Sequence, residues 1–149
     1  MRLARAIGIL TACAGSAAIE FGFLAPVLMM ASFGVYEFGR WGWTIEALQE
    51  AASRGARCAA IKQASCSASG AFSSSSTVAF VQNVASTWGL TVPSADITAN
   101  SSTSCGGVSG FSQVQISYVF GSVVTKLIPS GASGSTVAVS SCYPNTPSS

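Results

Sequence analysis

Histidine is absent from this chain of 149 residues, and only 8% of its residues are charged. Beyond Lys62 the charged groups are Asp96 and Lys126 alone. Without an imidazole or a pair of acids, no general acid and base can act together in that region, and no Ser/His/Asp set can form. A Ser/Lys arrangement through Lys126 would need a partner, and nothing in the sequence singles out a serine. The run Gly106-Gly107-Val108-Ser109-Gly110 lacks the Lys-Ser/Thr ending of a phosphate loop and reads as a turn. Neither enzymatic chemistry, a cofactor nor a small-molecule substrate is expected. The net charge of +2 arises from Arg2 and Arg5, because residues 16–149 carry five basic and five acidic groups. There is thus no basic face for a phosphate backbone, and nucleic acid is excluded as a partner.

What the chain does contain is apolar length. Between Ala6 and Tyr36 the one charged residue is Glu20, and Phe21 to Tyr36 has none. About 20 residues cross roughly 30 Å of hydrocarbon. A span over about residues 16–38 meets that requirement, with Glu20 near one end. Periodicity then continues outward: Trp41, Ile45, Leu48 and Ala52 recur at helical spacing, and Glu50 and Arg54 stand one turn apart. The expected helix covers residues 16–62, with about 39–62 beyond the membrane. Its outer half carries Ala47, Ala51, Gly55 and Ala59 at every fourth position, a stripe that fits either core packing or a subunit interface.

The remainder, residues 63–149, reads as a small α+β domain rich in Ser and Thr. Ser65 to Ser76 is expected as a turn or loop, Thr77 to Trp88 as an amphipathic helix closed by Gly89, and Ala95 to Ala99 as a short strand. Ser112 to Phe120 and Ser135 to Ser141 alternate as half-buried strands, and Pro144 to Ser149 is expected as a loose tail. Cys58, Cys66, Cys105 and Cys142 form an even set without CxxC spacing, which favours two disulfides over a metal site. Four cysteines allow three connectivities. The favoured one joins Cys58 to Cys66, closing a short loop after the helix, and Cys105 to Cys142, tying down the last strand.

The N-terminal constellation is the most specific feature. A basic leader, residues 1–15, ends at Gly15, and Ser16-Ala17-Ala18-Ile19-Glu20 follows inside the apolar run. This resembles a prepilin peptidase site, where cleavage after Gly15 makes Ser16 the new N-terminus and Glu20 the fifth residue. Leu10-Thr11-Ala12-Cys13 also fits a lipobox, but its apolar region is seven residues long and would leave Phe21 to Tyr36 as a surplus membrane helix.

Together with Pro26, Phe33-Gly34-Val35-Tyr36-Glu37-Phe38-Gly39-Arg40 and Ala51 to Arg57, this stretch resembles the TadE-like pseudopilins of tight-adherence (Tad) pili. Val114 to Phe120 is similar to that family's C-terminal strand. The resemblance implies a type IV pilin-like α+β fold, one long helix on a small antiparallel sheet. It further implies a minor pilin matured by a prepilin peptidase, with Glu20 as an assembly carboxylate; Pro26, a proline inside the expected helix, is read as the position of a bend. The partners it implies are the membrane, other pilin and pseudopilin subunits, and an inner-membrane assembly platform. The expected placement is a single pass through the bacterial inner membrane, N-terminus cytoplasmic and C-terminus periplasmic or within an extracellular pilus.

Overall fold

The computed structural model describes residues 2–122 and 135–146, with side chains from Ala17 onward and Ser135 by its backbone alone. Lys126, residues 147–149 and the side chains of Arg2, Arg5, Cys13, Gly15 and Ser16 lie outside the described residues. Helix α1 (Arg2–Ala60) is followed by strands β1 (Ser67–Ala68) and β2 (Ala71–Phe72), helix α2 (Ser74–Thr87) and a 3-10 turn at Ser94–Asp96. Strands β3 (Ile97–Cys105), β4 (Val108–Phe120) and β5 (Ser135–Pro144) complete the order. The chain divides into two compact units, Met1–Gly39 and Arg40–Ser149.

In the second unit the three long strands form an antiparallel meander in the order β3-β4-β5, an α+β arrangement with α1 residues packed on the sheet. Alternation along β4 sends Val114, Ile116 and Phe120 inward and leaves Gln115, Ser117 and Val119 exposed, as the period of two requires. Those inward residues join Leu48, Ala51, Ala52 and Ala56 of α1 and Val81, Val84 and Ala85 of α2 in one core. The small-residue stripe is thereby accounted for, since Ala47, Ala51, Gly55 and Ala59 are all buried within this unit. It serves intramolecular packing.

Gly55 marks the closest approach. A β-carbon built there would overlap Val81 Cγ2 and meet Val114 Cγ2 at 3.4 Å. Alanine is worth about 1 kcal/mol over glycine in a helix, but overpacking a core costs about 1–3 kcal/mol. Val81 is fully buried and stiff at χ1, so it has little room to yield. Gly55→Ala is therefore expected to lose about 2 kcal/mol net. A urea melt of the full chain in detergent reads this as a lower midpoint, and an unchanged midpoint would mean that the helix shifts freely.

Both helices of this unit end in the same way. In α2, the Leu90 amide donates to the Ala85 carbonyl and the Gly89 amide to Ser86, with Gly89 at φ +76°. In α1, the Gln63 amide donates to Cys58 and the Lys62 amide to Ala59, with Lys62 itself at φ +50°. These are Schellman closures, and the second puts a lysine where glycine is usual. The Cys58–Cys66 disulfide follows directly, at a Cα separation of 5.8 Å.

Several expectations change. Ser65 to Ser76 holds the expected turn, but with a strand on each side of it and the start of α2. β1 and β2 pair across a two-residue turn at Ser69 and Gly70, both with positive φ, and Ser73 caps α2 by accepting from the Ser76 amide at 3.3 Å. Serine is a poor helix-interior residue but a good cap and first-turn residue, so α2 starts at Ser74. The strand expected near Ala95 runs instead from Ile97 to Cys105, because the Gly106-Gly107 turn lets its polar half pair with β4.

The C-terminal tail is tied down over its described part. Pro144 pairs with Phe111 at the end of edge strand β5, where a missing amide is tolerated. Asn145 donates its amide to the Gly110 carbonyl at 2.9 Å and its side chain to Ser101 O at 2.7 Å. It also accepts from buried Ser112 Oγ at 2.6 Å. A buried hydroxyl left unpaired would cost about 1–3 kcal/mol, so Asn145 has a structural task.

Candidate functional site

The candidate site is the apolar part of α1 with the residues that punctuate it. Twelve large apolar side chains from Ile19 to Phe38 are 60–77% exposed. Successive helical residues are rotated by about 100°, so Val27, Leu28, Met29 and Met30 face almost every direction. A helix apolar on all sides has no solvated face, which distinguishes a membrane span from an amphipathic helix seeking one partner. Leaving each such side chain in water forfeits about 1.5–3 kcal/mol of burial. Among the described residues, this is the one helix long and apolar enough to cross a membrane.

Within this run, Glu20 is exposed and lies four residues, one turn or about 6 Å, beyond Ser16 on the same continuous helix. No described residue forms an ion pair with it. Pro26 stands inside α1. It cannot donate to the Gly22 carbonyl, which is one group that a span must satisfy from elsewhere. Ser32 returns its hydroxyl to the Leu28 carbonyl at 2.8 Å, so that polar group is satisfied inside the helix. The structure thus strings Gly15, Ser16, Glu20 and Pro26 along one helix, while the four cysteines lie in the other unit as the pairs Cys58–Cys66 and Cys105–Cys142.

In the folded unit, Arg40 Cζ lies 5.3 Å from the centre of the Phe120 ring. Trp43 and Trp88 meet edge to face with centroids 5.1 Å apart. Neither contact was legible locally, because each joins residues far apart in sequence. Trp41, which shares the helical spacing of Ile45, Leu48 and Ala52, is 38% exposed, and full burial on α1 begins at Thr44.

Comparison with known families adds a boundary. Residues 15–57 match the family model described as TadE-like protein. Over this segment the chain is similar to TadE-like proteins. The TadE-like segment opens at Gly15, takes in Glu20, Pro26 and the Glu37-Phe38-Gly39-Arg40 motif, and closes one residue before Cys58. The disulfide-bonded part, including Val114 to Phe120, lies outside it. No curated protein and no solved structure matches the chain.

Proposed function

We propose that this chain is a minor pilin or pseudopilin that supports assembly or initiation of a Tad-type pilus, with no catalytic chemistry of its own. The observation that carries the reading is the coincidence at residue 15. There the TadE-like match begins, and Glu20 follows five positions on, inside a helix apolar on every side. In this reading a prepilin peptidase cuts after Gly15 on the cytoplasmic face, and an inner-membrane platform then draws the subunit into the filament. Arg2 and Arg5 before the span and the disulfides after it support an N-terminus inside and a folded unit in an oxidising compartment.

Glu20 has a defined task in this scheme. A carboxylate in hydrocarbon costs roughly 2.5–3.5 kcal/mol, so its retention calls for a partner. The amine freed at Ser16 of a neighbouring subunit is one. Intact mass and N-terminal sequencing from native membranes, with and without the peptidase, test the scheme. The expected mature start is Ser16, present only with the peptidase. A start at Met1, or an acylated Cys13, would replace the pilin reading with that of an anchored envelope protein. Glu20→Gln is expected to be cleaved normally yet to lower surface filaments by about tenfold or more, the effect of losing about 1.4 kcal/mol or more per contact.

A further inference from the structure

All three tryptophans of the chain, Trp41, Trp43 and Trp88, belong to the folded unit, and two of them form the edge-to-face pair. Their position along the chain is informative. Trp43 lies five helical residues past Phe38, where the apolar run ends, a rise of about 8 Å. That distance matches the polar headgroup layer, which is about 5–8 Å deep on each side of the hydrocarbon. Trp43 is 56% exposed although it is large and apolar. Trp88 closes α2 and is held against it.

We infer that Trp43 and Trp88 form a lipid-contact surface, an aromatic footing on which the folded unit rests in the phospholipid headgroup layer. The inference rests on the membrane-anchored reading of α1. Tryptophan prefers this layer because its ring is largely apolar and its indole N–H seeks a polar acceptor. Continuity carries the assignment: Trp43 follows the span on one helix, and Trp88, 45 residues later, reaches the same level through its ring contact. Arg40 stands one turn before Thr44, whose hydroxyl bonds its carbonyl at 2.9 Å, and it brings a cation to the level of the lipid phosphates. Trp88, the C-cap of α2, is the part of that helix assigned to the lipid contact.

The test is depth-resolved quenching in vesicles of phosphatidylcholine and phosphatidylglycerol. The full chain carries Trp41→Phe and Trp43→Phe so that Trp88 alone emits; a reciprocal variant reads Trp43, guarding against loss of the paired geometry. Lipids brominated near the glycerol end of their chains should quench Trp88 about twofold more than lipids brominated at the methyl end, and aqueous iodide should quench it weakly. Equal access to iodide with no effect of brominated lipid would overturn the inference. So would shielding from both quenchers, which would mean that protein covers the site. A Met30→Trp reporter in a tryptophan-free background separates the two readings. If Met30→Trp is quenched by deep-brominated lipid and Trp88 is not, the footing fails alone; if Met30→Trp is unquenched, the span itself fails and the footing with it.

Discussion

Replacing Cys105 and Cys142 together by alanine is expected to lower the unfolding free energy by about 4 kcal/mol. The bridge spans 37 positions. Cross-linking a loop of that length removes more conformational freedom from the unfolded chain than the Cys58–Cys66 bridge, whose 8-position loop is worth about 2.5 kcal/mol on the same scale. Both figures are large against the 5–15 kcal/mol net stability of an ordinary domain. Cys105 ends β3 and Cys142 lies on β5, with β4 between them in the sheet, yet their Cα atoms are 6.5 Å apart. Register shifts around Thr103 and the positive φ of Gly110 bend the end of the β3–β4 hairpin. The bridge therefore holds a strand pair that backbone hydrogen bonds do not join.

Urea unfolding of the full chain in detergent, followed by tryptophan emission, measures the loss. If the cross-link is the cause, Cys105→Ala and Cys142→Ala should each lose as much as the double variant. Additive single losses, or a double-variant loss below about 1 kcal/mol, would assign the stability to the β4–β5 ladder instead.

What could be read from the sequence was what is local. The apolar part of α1 follows from an uncharged run and the absence of any breaker but Pro26. The face of β4 follows from Val114, Ile116 and Phe120 alternating with Gln115, Ser117 and Val119. The middle of α2 follows from Val81 and Ala85 before Gly89. Serine and threonine hid the rest, because Ser73 to Ser76 as a cap and Ser101 to Ser104 as an edge strand have the same composition as a loop. Their structure is decided by distant partners: β3 pairs with β4, and Asn145 holds Ser101 and Ser112. The fate of the Ala47–Ala59 stripe was equally a tertiary matter. Small residues invite close approach, but only the placement of Val81 and Val114 over Gly55 shows what approaches. At the candidate site the opposite holds, since Gly15, Ser16, Glu20 and Pro26 lie within twelve consecutive residues, so their spacing is fixed by the chain alone.

The clearest separation of the two halves of α1 comes from one substitution made twice. Leu48→Ala is expected to destabilise the folded unit by about 3–4 kcal/mol. Leu48 is fully buried in the core that includes Val81, Val114 and Ile116, so the substitution forfeits transfer free energy and leaves a cavity. Leu28, twenty residues earlier on the same helix, is 62% exposed and touches the medium instead. In detergent or lipid that medium is as apolar as leucine, and it flows into any space the truncation leaves. Leu28→Ala is therefore expected to change unfolding of the folded unit by less than about 0.5 kcal/mol. Its effect should appear in membrane retention, where about three methylene-sized groups at about 0.8 kcal/mol each favour the lipid. The same pair of urea melts decides the matter. Equal losses at both positions would mean that protein covers Leu28 in the sample, and that the run from Ile19 to Phe38 packs on protein and is not a lipid-facing span.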